Sequence, residues 1–259
     1  MNLKYLKDRF LETLFPEGIT CYACGTELKG ERFGLCGDCF FEMPYITDDV
    51  RTCKKCGRPI YDEADYCLEC QNHRFVFARV NSPFVYRGLA AKLIDDMKFR
   101  NMRYIAGMFG EFVATEYVRR NYAADLIVCT PAFERSGGYR GFNQSALIAE
   151  KAAKLLKLDA RFDALIKTRE TKHQALLTSF ERRKNLVGAF KVIRPDVIAD
   201  KSVLIIDDVI TTGSTMNECA KALLKAKARE VVGLTACCTE FEKNKRKEAQ
   251  DGADAVLNT

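Results

Sequence analysis

No stretch of the 259-residue chain stays apolar for the roughly 18 to 20 positions that a membrane-crossing helix requires. That excludes a helical span. The first residues include Lys4, Lys7, Asp8, Arg9 and Glu12, too much charge for a secretory leader, so a cytoplasmic location is expected. The pattern G-x-x-x-x-G-K-[ST] is absent, which removes the companion that any Walker B reading of a strand ending in acids would need. Histidine is scarce, at two residues; His173 has no partner that would make it a base or a metal ligand, and it reads as an exposed polar residue.

What is present is an ordinary globular composition, 47% hydrophobic and 29% charged, in a chain long enough for one sizeable core plus a smaller unit. Charge is unevenly spread. Residues 1–74 carry 10 Lys/Arg against 13 Asp/Glu and residues 75–259 carry 31 against 22, or −3 and +9. A zinc held by four thiolates adds a net charge of about −2. Two such sites would make the first part more acidic still, so a polyanion is expected to be held by the second part.

Twelve cysteines would suggest disulfides in a secreted chain, but eight fall into four C-x-x-C pairs, a ligand spacing. The pairs are Cys21/Cys24, Cys36/Cys39, Cys53/Cys56 and Cys67/Cys70, and the first and third are followed by Gly25 and Gly57. One unit is written twice. Each C-x-x-C-G knuckle converges two thiolates on one metal, and its glycine permits the tight turn. The repeat suggests two sequential zinc ribbons, one on Cys21, Cys24, Cys36 and Cys39 and one on Cys53, Cys56, Cys67 and Cys70, with interleaved sharing left open. Tandem glycine knuckles favour zinc over an iron–sulfur cluster or a redox dithiol. Four thiolates leave no open coordination position, so the sites are structural. So few aliphatic residues cannot hold about fifty residues together, whereas structural zinc contributes about 10 to 16 kcal/mol in isolated peptides. Cys129, Cys219, Cys237 and Cys238 read as small buried residues.

Around this segment the pattern changes twice. Leu3, Leu6, Phe10 and Leu14 recur at helical spacing, so residues 2–15 read as an amphipathic helix ended by Pro16. From Arg74 onward, extended stretches at 75–87, 125–132, 163–169, 189–193, 203–208 and 231–238 alternate with helices at 89–99, 102–121, 142–158, 179–186 and 214–228. Such alternation predicts an α/β domain with a parallel sheet covered by helices on both faces. The end of the chain, with Lys243, Lys245, Arg246 and Lys247, reads as a solvated tail.

The segment from Val203 to Thr215 is the most informative. Four apolar residues make a central strand, Asp207 and Asp208 stand where it ends, and Thr211, Thr212, Gly213, Ser214 and Thr215 open the next helix. Backbone N–H groups of this turn, the positive helix end and the hydroxyls can wrap a phosphate, and Gly213 lets it approach the backbone. The two carboxylates are then placed to accept hydrogen bonds from vicinal ribose hydroxyls, directly or through a cation.

This loop resembles the phosphoribosyl-pyrophosphate (PRPP) signature of type I phosphoribosyltransferases. Zinc ribbons ahead of it, with Tyr139-Arg140-Gly141-Phe142-Asn143-Gln144 following the strand that ends at Thr130-Pro131, resemble the ComF family of competence proteins over nearly the whole chain. Tyr86-Arg87-Gly88, Lys98-Phe99, Thr171, Gln174, Arg182, Asn185 and Gly188-Ala189-Phe190 add to the likeness. The resemblance implies a parallel-sheet, type I phosphoribosyltransferase-like domain preceded by a small zinc-ribbon module. Its expected boundaries are residues 1–19 for the N-terminal helix, 20–74 for the double ribbon, 75–240 for the phosphoribosyltransferase-like domain and 241–259 for the tail.

It also implies roles. Asp207, Asp208, Thr211, Thr212, Gly213, Ser214 and Thr215 would bind PRPP with Mg2+, and Arg135 and Arg140 would face its pyrophosphate. That loop, Glu134-Arg135-Ser136-Gly137-Gly138, has fewer basic residues than the family pattern. Lys98, Arg100 and Arg103 form either a basic patch near the site or solvated helix charges, and Arg182, Arg183 and Lys184 read the same way. Single-stranded DNA and DNA-uptake or recombination proteins are the partners implied. The alternative is an active PRPP-dependent transferase of nucleotide metabolism with an unknown acceptor; neither a nucleobase-binding hood nor a positioned general base is recognisable, and no catalytic residue is assigned.

Overall fold

Strand β6 (Ser202–Ile210) is the axis of the molecule. Its residues Val203 to Ile206 are fully buried, the mark of a strand covered on both faces. The computed structural model describes residues 19–61, 63–133, 142–171 and 179–240. The expected N-terminal helix, the Arg135/Arg140 loop, His173, Gln174 and the charged tail lie outside them.

On one side β6 pairs in parallel with β3 (Leu126–Cys129), and on the other with β7 (Glu230–Cys238). The far edge of β7 takes β1 (Val80–Asn81) and β2 (Phe84–Val85), also parallel, giving a five-stranded sheet. The single extended stretch expected over 75–87 is therefore two short strands. Pro83 separates them: it has no N–H for the ladder, and its carbonyl accepts instead from the Ile46 N–H at 2.8 Å.

Side chains alternate along the strands and divide the core in two. Leu204 and Ile206 join Ile127 and Cys129 beneath α3 (Gly88–Phe99), α4 (Tyr104–Arg119) and α5 (Gln144–Leu156). Val203 and Ile205 join Leu126 and Val128 against α8 (Ser214–Lys225) on the other face. Helices on both faces of a parallel sheet are thus as expected. The stretches expected as strands near 163–169 and 189–193 do not enter it. They form an antiparallel pair of their own, β4 (Leu165–Lys167) with β5 (Phe190–Val192). Each is three residues long with its buried residue at one end, a pair that rests one face on the core. Between them lies α6 (Ser179–Leu186), and one further turn, α7 (Pro195–Ile198), begins on a proline suited to a helix's first position.

The ribbons are seated on the two sheet faces. Cys21, Leu28, Leu35 and Met43 of the first pack into the core of α3 to α5, where Phe33 stacks on Phe112 with ring centroids 4.1 Å apart. Cys53, Cys56, Ile60 and Cys67 of the second pack with Phe75, Phe77 and α8 on the opposite face. Among the described residues no helix is long and apolar enough to cross a membrane. Cys129, Cys219, Cys237 and Cys238 are buried, as expected.

Candidate functional site

The eight paired cysteines assemble sequentially. Cys21, Cys24, Cys36 and Cys39 form one cluster and Cys53, Cys56, Cys67 and Cys70 the other, with the sulfurs of each within 4.8 Å of one another. Tetrahedral coordination at about 2.3 Å places sulfurs about 3.8 Å apart. The Cys24–Cys36 and Cys56–Cys67 sulfurs stand at 3.6 Å. Four soft sulfur donors gathered this closely fit zinc.

Both knuckles have the same build. Gly25 and Gly57 adopt φ of +78° and +68°, and their N–H groups return to the carbonyls of Cys21 and Cys53, each at 2.9 Å. The second pair of each ribbon opens a short helix, α1 (Gly37–Glu42) after Cys36 and α2 (Leu68–Asn72) after Cys67. Cys39 and Cys70 then follow on the first turn.

The second centre lies at the carboxyl edge of the sheet, where parallel α/β proteins bind ligands. Here β6 gives way to the turn at Thr211–Gly213 and to the N-terminus of α8. Gly213 caps that helix at φ +75°, and a Cβ on it would meet the Phe75 ring at 3.4 Å. The glycine is therefore required by the left-handed backbone, and the missing side chain would point at Phe75. The Thr212 and Ser214 hydroxyls lie 2.7 Å apart at the N-terminus of α8, where the Ser214 N–H donates to Thr212 Oγ1 at 3.4 Å.

Asp207 is gripped from two elements. Thr130 Oγ1 at the end of β3 and Ser145 Oγ on α5 both donate to its Oδ1, the latter at 2.8 Å. The register that pairs Cys129 with Ile206 sets Thr130 beside Asp207. Asn143 holds the α5 end in place: its Oδ1 accepts from the Ser145 N–H at 3.0 Å, and its Nδ2 donates to the Thr130 carbonyl at 2.9 Å. Burial, and then the neighbouring Asp208 charge, push the Asp207 carboxyl up to about 6. Asp208 pairs with Lys98 Nζ at 2.9 Å, so α3 supplies a cation to the acid pair.

Of the three basic residues expected near the site, Lys98 alone is held against an acid of the pair. Arg100 is 69% exposed and pairs with Asp96, a helix-surface charge. Arg103 bonds Asn101 and lies over the Phe142 ring at 4.3 Å, next to where the chain enters α5. Thr171 accepts from Lys167 at 2.7 Å, and the Asn185 carbonyl from Arg169 at 2.9 Å. Sequence reasoning missed Ser145 and gave Thr130 no role. A hydroxyl one residue past a buried strand, on the strand next to the acid pair, was the available signal for Thr130. It also missed Arg58, whose guanidinium donates to the Thr211 carbonyl.

Residues 10–71 match the double zinc ribbon domain, and residues 144–258 match the phosphoribosyl transferase domain. DNA utilization protein YhgH of Escherichia coli K12 is 30% identical over 224 residues, which cover 85% of this chain and 96% of the relative. Competence protein F of Haemophilus influenzae is 26% identical over 220 residues, covering 82% of this chain and 93% of the relative. Among solved structures, the glutamine PRPP amidotransferase of B. subtilis, complexed with ADP and GMP, matches 50% of this chain and 25% of its own at 23% identity, with a TM-score of 0.35. With two four-cysteine centres ahead of a parallel sheet that ends in an acid pair and a hydroxyl-lined turn, and with relatives alike over most of their length, the chain belongs to the ComF family of double zinc ribbon and phosphoribosyltransferase-domain proteins.

Proposed function

We propose that the loop from Asp207 to Thr215 binds the ribose 5-phosphate part of PRPP together with Mg2+, and that the protein uses this ligand in handling single-stranded DNA. The observation that carries the reading is the order of groups on one strand–turn–helix: two acids at the strand end, then a hydroxyl-lined turn at the N-terminus of α8. The positive end of α8 and the hydroxyls there suit a phosphate monoester. The acids, about one sugar ring away, suit the ribose hydroxyls.

The donors offered by Asp207, Asp208 and Thr130 are all oxygens, which fits magnesium. Bound there, it would supply counter-charge to the pyrophosphate. Lys98 exchanges Asp208 for the ligand as the site fills, while Thr130 and Ser145 keep the Asp207 carboxylate aimed. Arg135 and Arg140 complete the pyrophosphate side in this reading. The DNA role is supported by the names of the relatives, a DNA utilization protein and a competence protein. The +9 balance of residues 75–259 favours a polyanion there. DNA-uptake or recombination proteins are the partners this role implies, in the cytoplasm.

Thermal melting with and without Mg-PRPP tests the assignment. The wild type should rise by several degrees, as a ligand present far above its Kd requires. The Asp207→Asn, Asp208→Asn double variant should show no rise; an undiminished rise refutes the site. Calorimetry with PRPP and a single-stranded oligonucleotide together then asks whether one site serves both. Pyrophosphate release in that mixture would assign transfer in place of binding.

A further inference from the structure

We infer that the second zinc ribbon is a working part of the phosphate site, with Arg58 as the residue that positions the loop. The ligand in this inference rests on the phosphoribosyl reading above, but the structural claim stands apart from it. Arg58 follows the second knuckle directly, in Cys53-Lys54-Lys55-Cys56-Gly57-Arg58. Its carbonyl accepts the Cys53 N–H at 2.8 Å, so its backbone belongs to the metal-bound turn. Its side chain runs the other way, across the domain, and donates to the Thr211 carbonyl.

Arg58 is 5% exposed. A guanidinium is costly to bury unless its donors meet acceptors, and its charge cannot be neutralised by losing a proton. One donor, Nη2, meets the carbonyl of Thr211, the first residue of the turn. In a trans peptide the carbonyl of one residue and the N–H of the next point in opposite directions. Holding the Thr211 carbonyl on the ribbon side therefore turns the Thr212 N–H away from the ribbon, into the turn. A fixed positive charge behind the loop also favours an anion in front of it.

Other contacts brace the same junction. The Val80 N–H donates to the Lys55 carbonyl at 2.8 Å, and Gly57 lies so close to β1 that a Cβ would stand 2.5 Å from the Val80 oxygen. Tyr61 of the ribbon and Arg87 both reach Glu240, at 2.9 and 2.7 Å. Phe75, the residue that leaves the ribbon, lies under Gly213, and the Val76 N–H donates to Asn217 on α8 at 2.8 Å. The first ribbon, by contrast, sits on the other sheet face against Phe112 of α4. The two ribbons look alike in sequence and differ in what they hold.

The test uses full-length, zinc-loaded protein carrying Arg58→Met, read by hydrogen exchange without ligand and by titration with Mg-PRPP. Exchange of the 211–215 amides should rise about tenfold while β3 and α4 stay protected, and Mg-PRPP affinity should fall about tenfold, the scale of one charge-assisted hydrogen bond. Arg58→Lys keeps the charge with a single-point donor and should recover part of both losses. Unchanged exchange at 211–215 in Arg58→Met overturns the inference. Should that variant lose its zinc or its melting transition, Arg58→Lys decides: exchange and affinity equal to wild type overturn it. A wild type that fails to bind Mg-PRPP removes the ligand reading, and the exchange experiment still settles Arg58.

Discussion

The Lys98 ammonium stands 2.9 Å from an Asp208 carboxylate oxygen, so one acid of the pair is neutralised before any ligand arrives. Both side chains are largely shielded, at 27% and 17% exposure. Lys98→Met should therefore destabilise the ligand-free protein by about 1 to 2 kcal/mol at pH 7, between the values for exposed and buried pairs. At pH 5, where Asp207 holds its proton, the like-charge repulsion is gone and the cost should shrink. Denaturant unfolding at the two pH values checks this; an equal cost at both would show that Lys98 does not offset the acid pair.

Asp207 sets a pH slope of its own. Its folded value of about 6 lies above the ordinary 3.8 because burial, then Asp208, disfavours the charge. The folded chain thus binds this proton more tightly than the unfolded one. Stability falls as pH rises between the two values and is level above them. Asp207→Asn should remove that slope and raise neutral-pH stability by about 1 to 3 kcal/mol, while abolishing the response to Mg-PRPP. A variant less stable than wild type at pH 7 would contradict this.

The two knuckle glycines should respond unequally to the same change. Gly25 and Gly57 both have positive φ, so alanine costs each about 1 kcal/mol in backbone strain. At Gly25 nothing lies within 4 Å of the added carbon, whereas at Gly57 it would meet the Val80 oxygen at 2.5 Å and the Asn81 Cα at 2.7 Å. Gly57→Ala should therefore lose at least about 2 kcal/mol, from strain plus overpacking, and lower PRPP affinity as well. Gly25→Ala should leave binding unchanged. Parallel melts and titrations of the two variants check the difference.

Gly213→Ala isolates the loop's backbone. The added methyl would rest on Phe75 at an ordinary contact distance, so the expected loss of about 1 kcal/mol comes from the left-handed φ. A loss of 3 kcal/mol or more in denaturant unfolding would point to a clash in its place.

Much of this was legible in the sequence because the informative groups are chain neighbours. Cys53 and Cys56, or Asp207 and Thr211, carry their geometry in their spacing, since one turn or one strand end links them. Thr130 and Ser145 reach Asp207 from 77 and 62 residues away. Only the register of β3 on β6 and the capped start of α5 bring them there. Arg58 meets Thr211 across 153 residues, and no local pattern announces such a partner. The short β4 and β5 misled for a different reason: a half-buried three-residue strand looks the same whether it joins a parallel sheet or pairs with its neighbour.

The pairing of Val80 with Gly233 also sets a timetable. The ribbons leave the ribosome early, but the strand that β1 leans on is made about 150 residues later, which at about 5 to 20 residues per second takes on the order of 10 s. Through that interval eight thiols have no finished domain to cover them. A second ribbon that captures its metal within that interval would present a ready-made template to the Thr211–Gly213 turn as it folds.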